Sequence, residues 1–124
     1  MANDLRDKGA HIRQQLWGND PQTRAQTERM EGFHKDLGDF IQEQLFGGIW
    51  ARPGLPLKTR SLITVAALMA MGRGPQLRAH MRGALNIGIT PDELKELILH
   101  LSQYSGMPTA VEAVRTLQEV LETK

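Results

Sequence analysis

The segment LKTRSLITVAALMAMG, residues 57–72, constrains this chain more than any other stretch. After Arg60 it is apolar on nearly every side of a helix. A helix apolar all round must be covered all round. In a chain of 124 residues that predicts either a central helix or one sealed by another subunit. It is not a membrane span, because Leu62 to Met71 is only ten residues and a bilayer needs about 20. A domain of this length buries roughly two-thirds of its unfolded surface, enough for one modest core. With no internal repeat and no dividing linker, residues 1–124 read as a single domain.

Periodicity and punctuation fill in the rest. Leu5, Ile12 and Leu16 predict a helix over 4–16. Asp20-Pro21 is an N-cap followed by proline at the first helical position, and a short polar helix or loop runs to about Met30. Phe33, Leu37, Phe40, Ile41 and Leu45 form one apolar face, with Gly47-Gly48 expected to end that helix. The prolines of Ile49–Pro56 predict a loop carrying Trp50 and Arg52. Gly72 is placed as the residue just past the 57–71 helix. Pro75 opens a further helix that Gly88 closes. Thr90-Pro91-Asp92-Glu93 is a capping box ahead of the stripe Leu94, Leu97, Ile98 and Leu101. SGMPT breaks the chain before a last helix built on Ala110, Val111, Val114, Leu117 and Leu121. No segment alternates as a strand does. The fold class expected is all-α, with six or seven helices.

Composition removes several functions. Fifteen Lys and Arg against fourteen Asp and Glu leave a net charge of +1, too balanced for a dedicated nucleic-acid binder. With no cysteine, disulfides, thiolate zinc sites and thiol nucleophiles are absent. The four histidines lack metal-ligand spacing, and no Walker loop, nucleophile elbow or dinucleotide fingerprint is present. The N-terminal residues have no signal-peptide core. A soluble, cytoplasmic protein acting on a small molecule is expected, with neither a nucleic-acid nor a membrane partner.

The residues left to carry chemistry cluster between Trp50 and Pro108. His80 borders the apolar face of its helix, three residues after Leu77 and four before Ala84. It suits a hydrogen-bonded core histidine, a general acid, or a donor to a developing oxyanion. Arg78 and Arg82 share a helix face, and Arg60 stands where a polar loop becomes an apolar helix. Each suits a surface ion pair or a carboxylate clamp. Trp50 suits a pocket wall or a packed anchor. Met69, Met71 and Met81 read as core filler.

In order along the chain, IWARPGL, TRSLITVAALMAMGR, LRAHMRGALNIGIT and DELKELILHLSQYSGMP resemble the carboxymuconolactone decarboxylase family, within the alkyl hydroperoxidase D-like superfamily. The likeness runs from about Phe33 to Leu121. It implies an alkyl hydroperoxidase D-like helical bundle, assembled as a hexamer from three dimers. It also implies decarboxylation of 4-carboxymuconolactone to the β-ketoadipate enol-lactone, in protocatechuate breakdown and without a cofactor. His80 and Arg60 are then expected to be catalytic, with Trp50, Arg52, Arg82 and Tyr104 binding substrate and no metal site. Peroxide-reducing members of the superfamily use C-x-x-C ahead of the same histidine. Here Arg73 and Gln76 stand in those places, so thiol peroxidase chemistry is excluded. Gly48 replaces an acidic residue common in the family, and Ile87 interrupts its usual N-N-G. These two departures leave open a different small lactone or keto acid, or a member that binds without catalysis.

Overall fold

A computed structural model describes residues 2–123. Its packing divides the chain into two compact units, one up to Leu57 and one from Lys58 onward. Among the described residues there are seven α-helices, one π-helix and no strand. None of these helices is long and apolar enough to cross a membrane.

The first unit holds α1 (Ala2–Trp17), α2 (Pro21–Phe33), α3 (Lys35–Phe40) and the π-helix π1 (Ile41–Trp50). Asp20 caps α2 as its sequence predicts. Thr23 donates to it twice, through its backbone N–H at 3.2 Å and its hydroxyl at 2.7 Å. Such a cap is typically worth about 1 kcal/mol. The main departure from expectation is π1. Gly47-Gly48 does not end the helix, which continues in wide i→i+5 turns to Trp50.

Gly47 is where this segment meets α1. A Cβ there would stand 2.0 Å from the Leu5 carbonyl oxygen, and a Cβ on Gly9 would stand 2.1 Å from that of Gln42. The two glycines let the backbones touch. This approach turns Phe46, Gly47 and Trp50 inward. Phe33, Leu37, Phe40 and Leu45 of the expected inner face are instead exposed, Phe33 almost fully. Arg13 ties the unit together. It donates to Gln42 Oε1 at 2.8 Å and Glu31 Oε2 at 2.6 Å, and lies 5.1 Å from the ring centre of Phe46.

The second unit holds α4 (Leu57–Met71), α5 (Gly74–Asn86), α6 (Pro91–Ser105) and α7 (Met107–Glu122). Its core joins Val65 and Met69 of α4 to Leu77, Met81 and Ala84 of α5, Leu94 and Ile98 of α6, and Leu117 and Val120 of α7. Local signals act as read. Gly72, Gly88 and Gly106 have positive φ, the conformation glycine adopts most cheaply. Thr90 and Glu93 exchange both capping-box bonds, at 2.9 and 3.1 Å. The central-helix expectation for α4 does not hold in the single chain. Its buried stripe is Ser61, Val65 and Met69; Ile63 is 53% and Met71 60% exposed. Alanine and methionine made the segment look uniformly apolar, but packing uses one face, and Met71 is not core filler.

Candidate active site

Trp50 and Arg52 belong to the first unit; Arg60, His80, Arg82 and Tyr104 belong to the second. Trp50 is not on a loop. It is the last residue of π1, buried, with its ring 5.7 Å from that of Phe46. Trp17 meets Phe46 edge-on at 5.8 Å. Arg52 follows on the exposed loop, with its backbone N–H on the Ile49 carbonyl at 3.1 Å.

α5 carries two of the four second-unit residues. Its buried stripe is Leu77, Met81 and Ala84, and His80 flanks that stripe on one side. Arg78 and Arg82 flank it on the other. Two residues of an α-helix turn about 200°, so His80 and Arg82 project roughly 160° apart. Arg82 Nη2 donates to Thr123 Oγ1 at 2.6 Å, and Arg78 is paired with Glu119 of α7. The ion pair is one of the two roles the sequence leaves open for Arg78; the partners of these struts between α5 and α7 lie 41 residues away and are not legible there.

His80 is partly exposed, with its Nδ1 closed off from solvent. Burial pushes its pKa down from 6.5 to about 4, since a desolvated imidazole resists taking a charge. At neutral pH the ring is therefore neutral. A neutral imidazole carries one N–H donor and no net charge.

Arg60 is partly buried in the first turns of α4, with Nε closed to solvent and its backbone carbonyl accepting from Thr64 at 2.8 Å. Beside it, Ser61 is fully buried. Tyr104 is 79% exposed, its ring 5.4 Å from that of His100. Lys58, one turn before Ser61 and Leu62, lies against Gly88 at the end of α5. There a cation complements the negative end of the His80 helix.

A polar crevice of about 320 Å³ lies in the first unit, lined by Arg6, Arg13, Trp17, Arg24 and Glu28 among others. An apolar groove of about 430 Å³ lies in the second, between α6 and α7. None of the six residues expected at the site lines either one. Among the described residues, no group of three or more His, Asp or Glu side chains is placed to hold a metal ion.

Comparison with known proteins bears on the same segments. The model of the Carboxymuconolactone decarboxylase family matches residues 35–119. A 4-carboxymuconolactone decarboxylase of Acinetobacter baylyi is 43% identical over 123 residues, covering 98% of this chain and 91% of the relative. A nitrosuccinic acid decarboxylase of Metarhizium robertsii is 32% identical over 117 residues, covering 94% and 81%. An uncharacterized 15.0 kDa protein of Paracoccus denitrificans is 39% identical over 80 residues, covering 63% and 60%.

Proposed function

The chain belongs to the carboxymuconolactone decarboxylase family, and from that premise we propose that it converts 4-carboxymuconolactone to the β-ketoadipate enol-lactone in aromatic catabolism. The observation that carries this reading is the 43% identity, over 98% of the chain, with a protein named for that activity.

The substrate contains its own electron sink, so the scheme uses no cofactor. The bond between the γ-carbon and its carboxylate breaks and CO₂ leaves. The electron pair enters the conjugated ring and collects on the lactone carbonyl oxygen as a dienolate. A proton then adds to the ring carbon next to that carbonyl, giving the enol-lactone.

In this reading Arg60 and Arg52 hold carboxylate groups, for which a guanidinium is matched in shape and charge, and Arg82, on the flank of α5 opposite His80, does so for a site completed by a second copy of the chain. Neutral His80 donates to the dienolate oxygen. A donor of that kind is typically worth about 2.7–4 kcal/mol. The strongest interaction thus forms with charge that exists only as CO₂ departs, which is where binding energy raises turnover. Tyr104 is a secondary donor and Trp50 a wall. The leaving carboxylate is best placed against apolar side chains of α4, because an ion pair there would stabilise the ground state.

We also propose a homohexamer, a trimer of dimers. Supporting it are Phe33, Phe40 and Ile49 of the first unit and Ile63, Leu99 and Met107 of the second, all exposed in the single chain. Tyr104, as exposed as these, would be enclosed by a second subunit.

The similarity to a nitrosuccinic acid decarboxylase, with Gly48 and Ile87, supports a second reading. Nitrosuccinate is also a dicarboxylate, and its nitro group accepts the electron pair. Measuring kcat/KM for both substrates decides between them. A preference for the lactone by about a hundredfold is expected; a preference for nitrosuccinate would transfer the assignment.

A further inference from the structure

Several serine and threonine hydroxyls in or just past the helices of this protein fold back on their own backbone. Thr64 donates to the Arg60 carbonyl at 2.8 Å, Ser102 to Leu99 at 2.7 Å and Ser105 to Leu101 at 3.1 Å. Thr116 donates to Glu112 at 3.0 Å and Thr123 to Glu119 at 2.8 Å. This is the ordinary resting place of a hydroxyl inside a helix.

Ser61 departs from the pattern. It is wholly buried, on the α4 stripe it shares with Val65 and Met69. Its Oγ has no hydrogen-bond partner among the described residues, although the Leu57 carbonyl stands one turn back. A buried hydroxyl without a partner destabilises the fold relative to alanine, which leaves no polar atom to desolvate. Alanine is also the better helix former. Folding alone therefore favours Ala at this position. Arg60 and Leu62, on either side, are both partly exposed, so the hydroxyl sits one position from side chains that reach the surface. Arg60 is also the residue to which the proposed function gives a carboxylate contact.

Resting on that proposed function, we propose that Ser61 is a substrate-binding residue whose hydroxyl donates to an oxygen of the bound lactone acid beside the Arg60 guanidinium. The hydroxyl is then satisfied only when the site is filled. Its contribution appears in binding and turnover, and not in the stability of the empty protein.

The test compares wild type, Ser61→Ala and Ser61→Cys in three measurements. These are melting temperature without ligand, affinity for the saturated lactone dicarboxylate, and kinetics on 4-carboxymuconolactone. The saturated analogue keeps the carboxylates but lacks the conjugated sink. Ser61→Cys keeps the side-chain shape with a much weaker donor, which guards against repacking in the alanine variant. Expected are a melting temperature at or above wild type for Ser61→Ala, and affinity and kcat/KM both about tenfold lower for both variants. Two results overturn the proposal: unchanged binding and turnover, or a fall in melting temperature that tracks the lost activity and so assigns the hydroxyl to the fold. If the folded wild type neither turns over the lactone nor binds its analogue, the functional assignment fails and this inference falls with it. If wild type is active and both variants match it, only the role of Ser61 fails.

Discussion

Arg82 donates to Thr123 across 2.6 Å, which ties an arginine expected at the substrate to the end of α7. One turn earlier Arg78 is paired with Glu119 on the same helix. His80 leaves α5 on the opposite flank, so the arginine and the histidine do not approach a ligand from the same side of their helix.

That arrangement predicts how Arg82 behaves when each partner is changed. Arg82→Ala should raise KM for the lactone by about tenfold, because a dianion loses a charged contact. Thr123→Val should change KM by less than about threefold, since water replaces an exposed hydrogen bond at little net loss. Steady-state kinetics of the two variants check this. Equal impairment in both would mean that the end of α7 sets the position of the guanidinium.

His80 predicts a pH dependence of stability. Unfolded, its imidazole takes a proton near 6.5; folded, at about 4. Between those values the unfolded chain binds more protons, so this contribution is full above pH 6.5 and is lost as the pH falls toward 4. The difference amounts to at most about 3 kcal/mol. Denaturant unfolding of wild type and His80→Gln at pH 7, 6, 5 and 4 should show wild type losing its advantage over that range. Parallel curves for the two proteins would show that the folded histidine titrates normally.

The contact between α1 and π1 predicts opposite outcomes for three similar substitutions. Gly9→Ala and Gly47→Ala each force a methyl to within about 2 Å of a carbonyl oxygen. Both should destabilise by about 2 kcal/mol or more, in the range of overpacked cores. Gly32→Ala meets nothing within 4 Å and should stabilise by up to about 1 kcal/mol through helix propensity. Chemical denaturation of the three variants measures this, and a neutral Gly47→Ala would contradict the close approach.

Features set by neighbours in sequence were legible before the structure. Asp20, Thr90 with Glu93, Gly72 and Gly106 each act through bonds or dihedrals within a few residues, and each caps or breaks a helix where its spacing says. Features set by contact across the fold were not. Gly47 looked like a helix stop because its role is to admit the Leu5 carbonyl, a partner 42 positions away. The prolines after Trp50 predict a loop there, yet π1 runs through Trp50 before they interrupt it. The 57–71 helix read as apolar all round, yet only packing chooses which of its faces is buried. At the candidate site, His80 and Arg60 were visible as residue types beside apolar helices. Ser61 stands next to Arg60 in the segment that carries the family resemblance, but the burial of a hydroxyl and its want of a partner are properties of packing.

The most direct measurement is CO₂ release from freshly prepared 4-carboxymuconolactone by chelator-treated protein, with wild type and His80→Ala side by side. The account predicts one CO₂ and one enol-lactone per substrate consumed by wild type, and a rate at least about a hundredfold lower for a folded His80→Ala. Folded wild type that releases no CO₂, or His80→Ala that matches wild type, would contradict it.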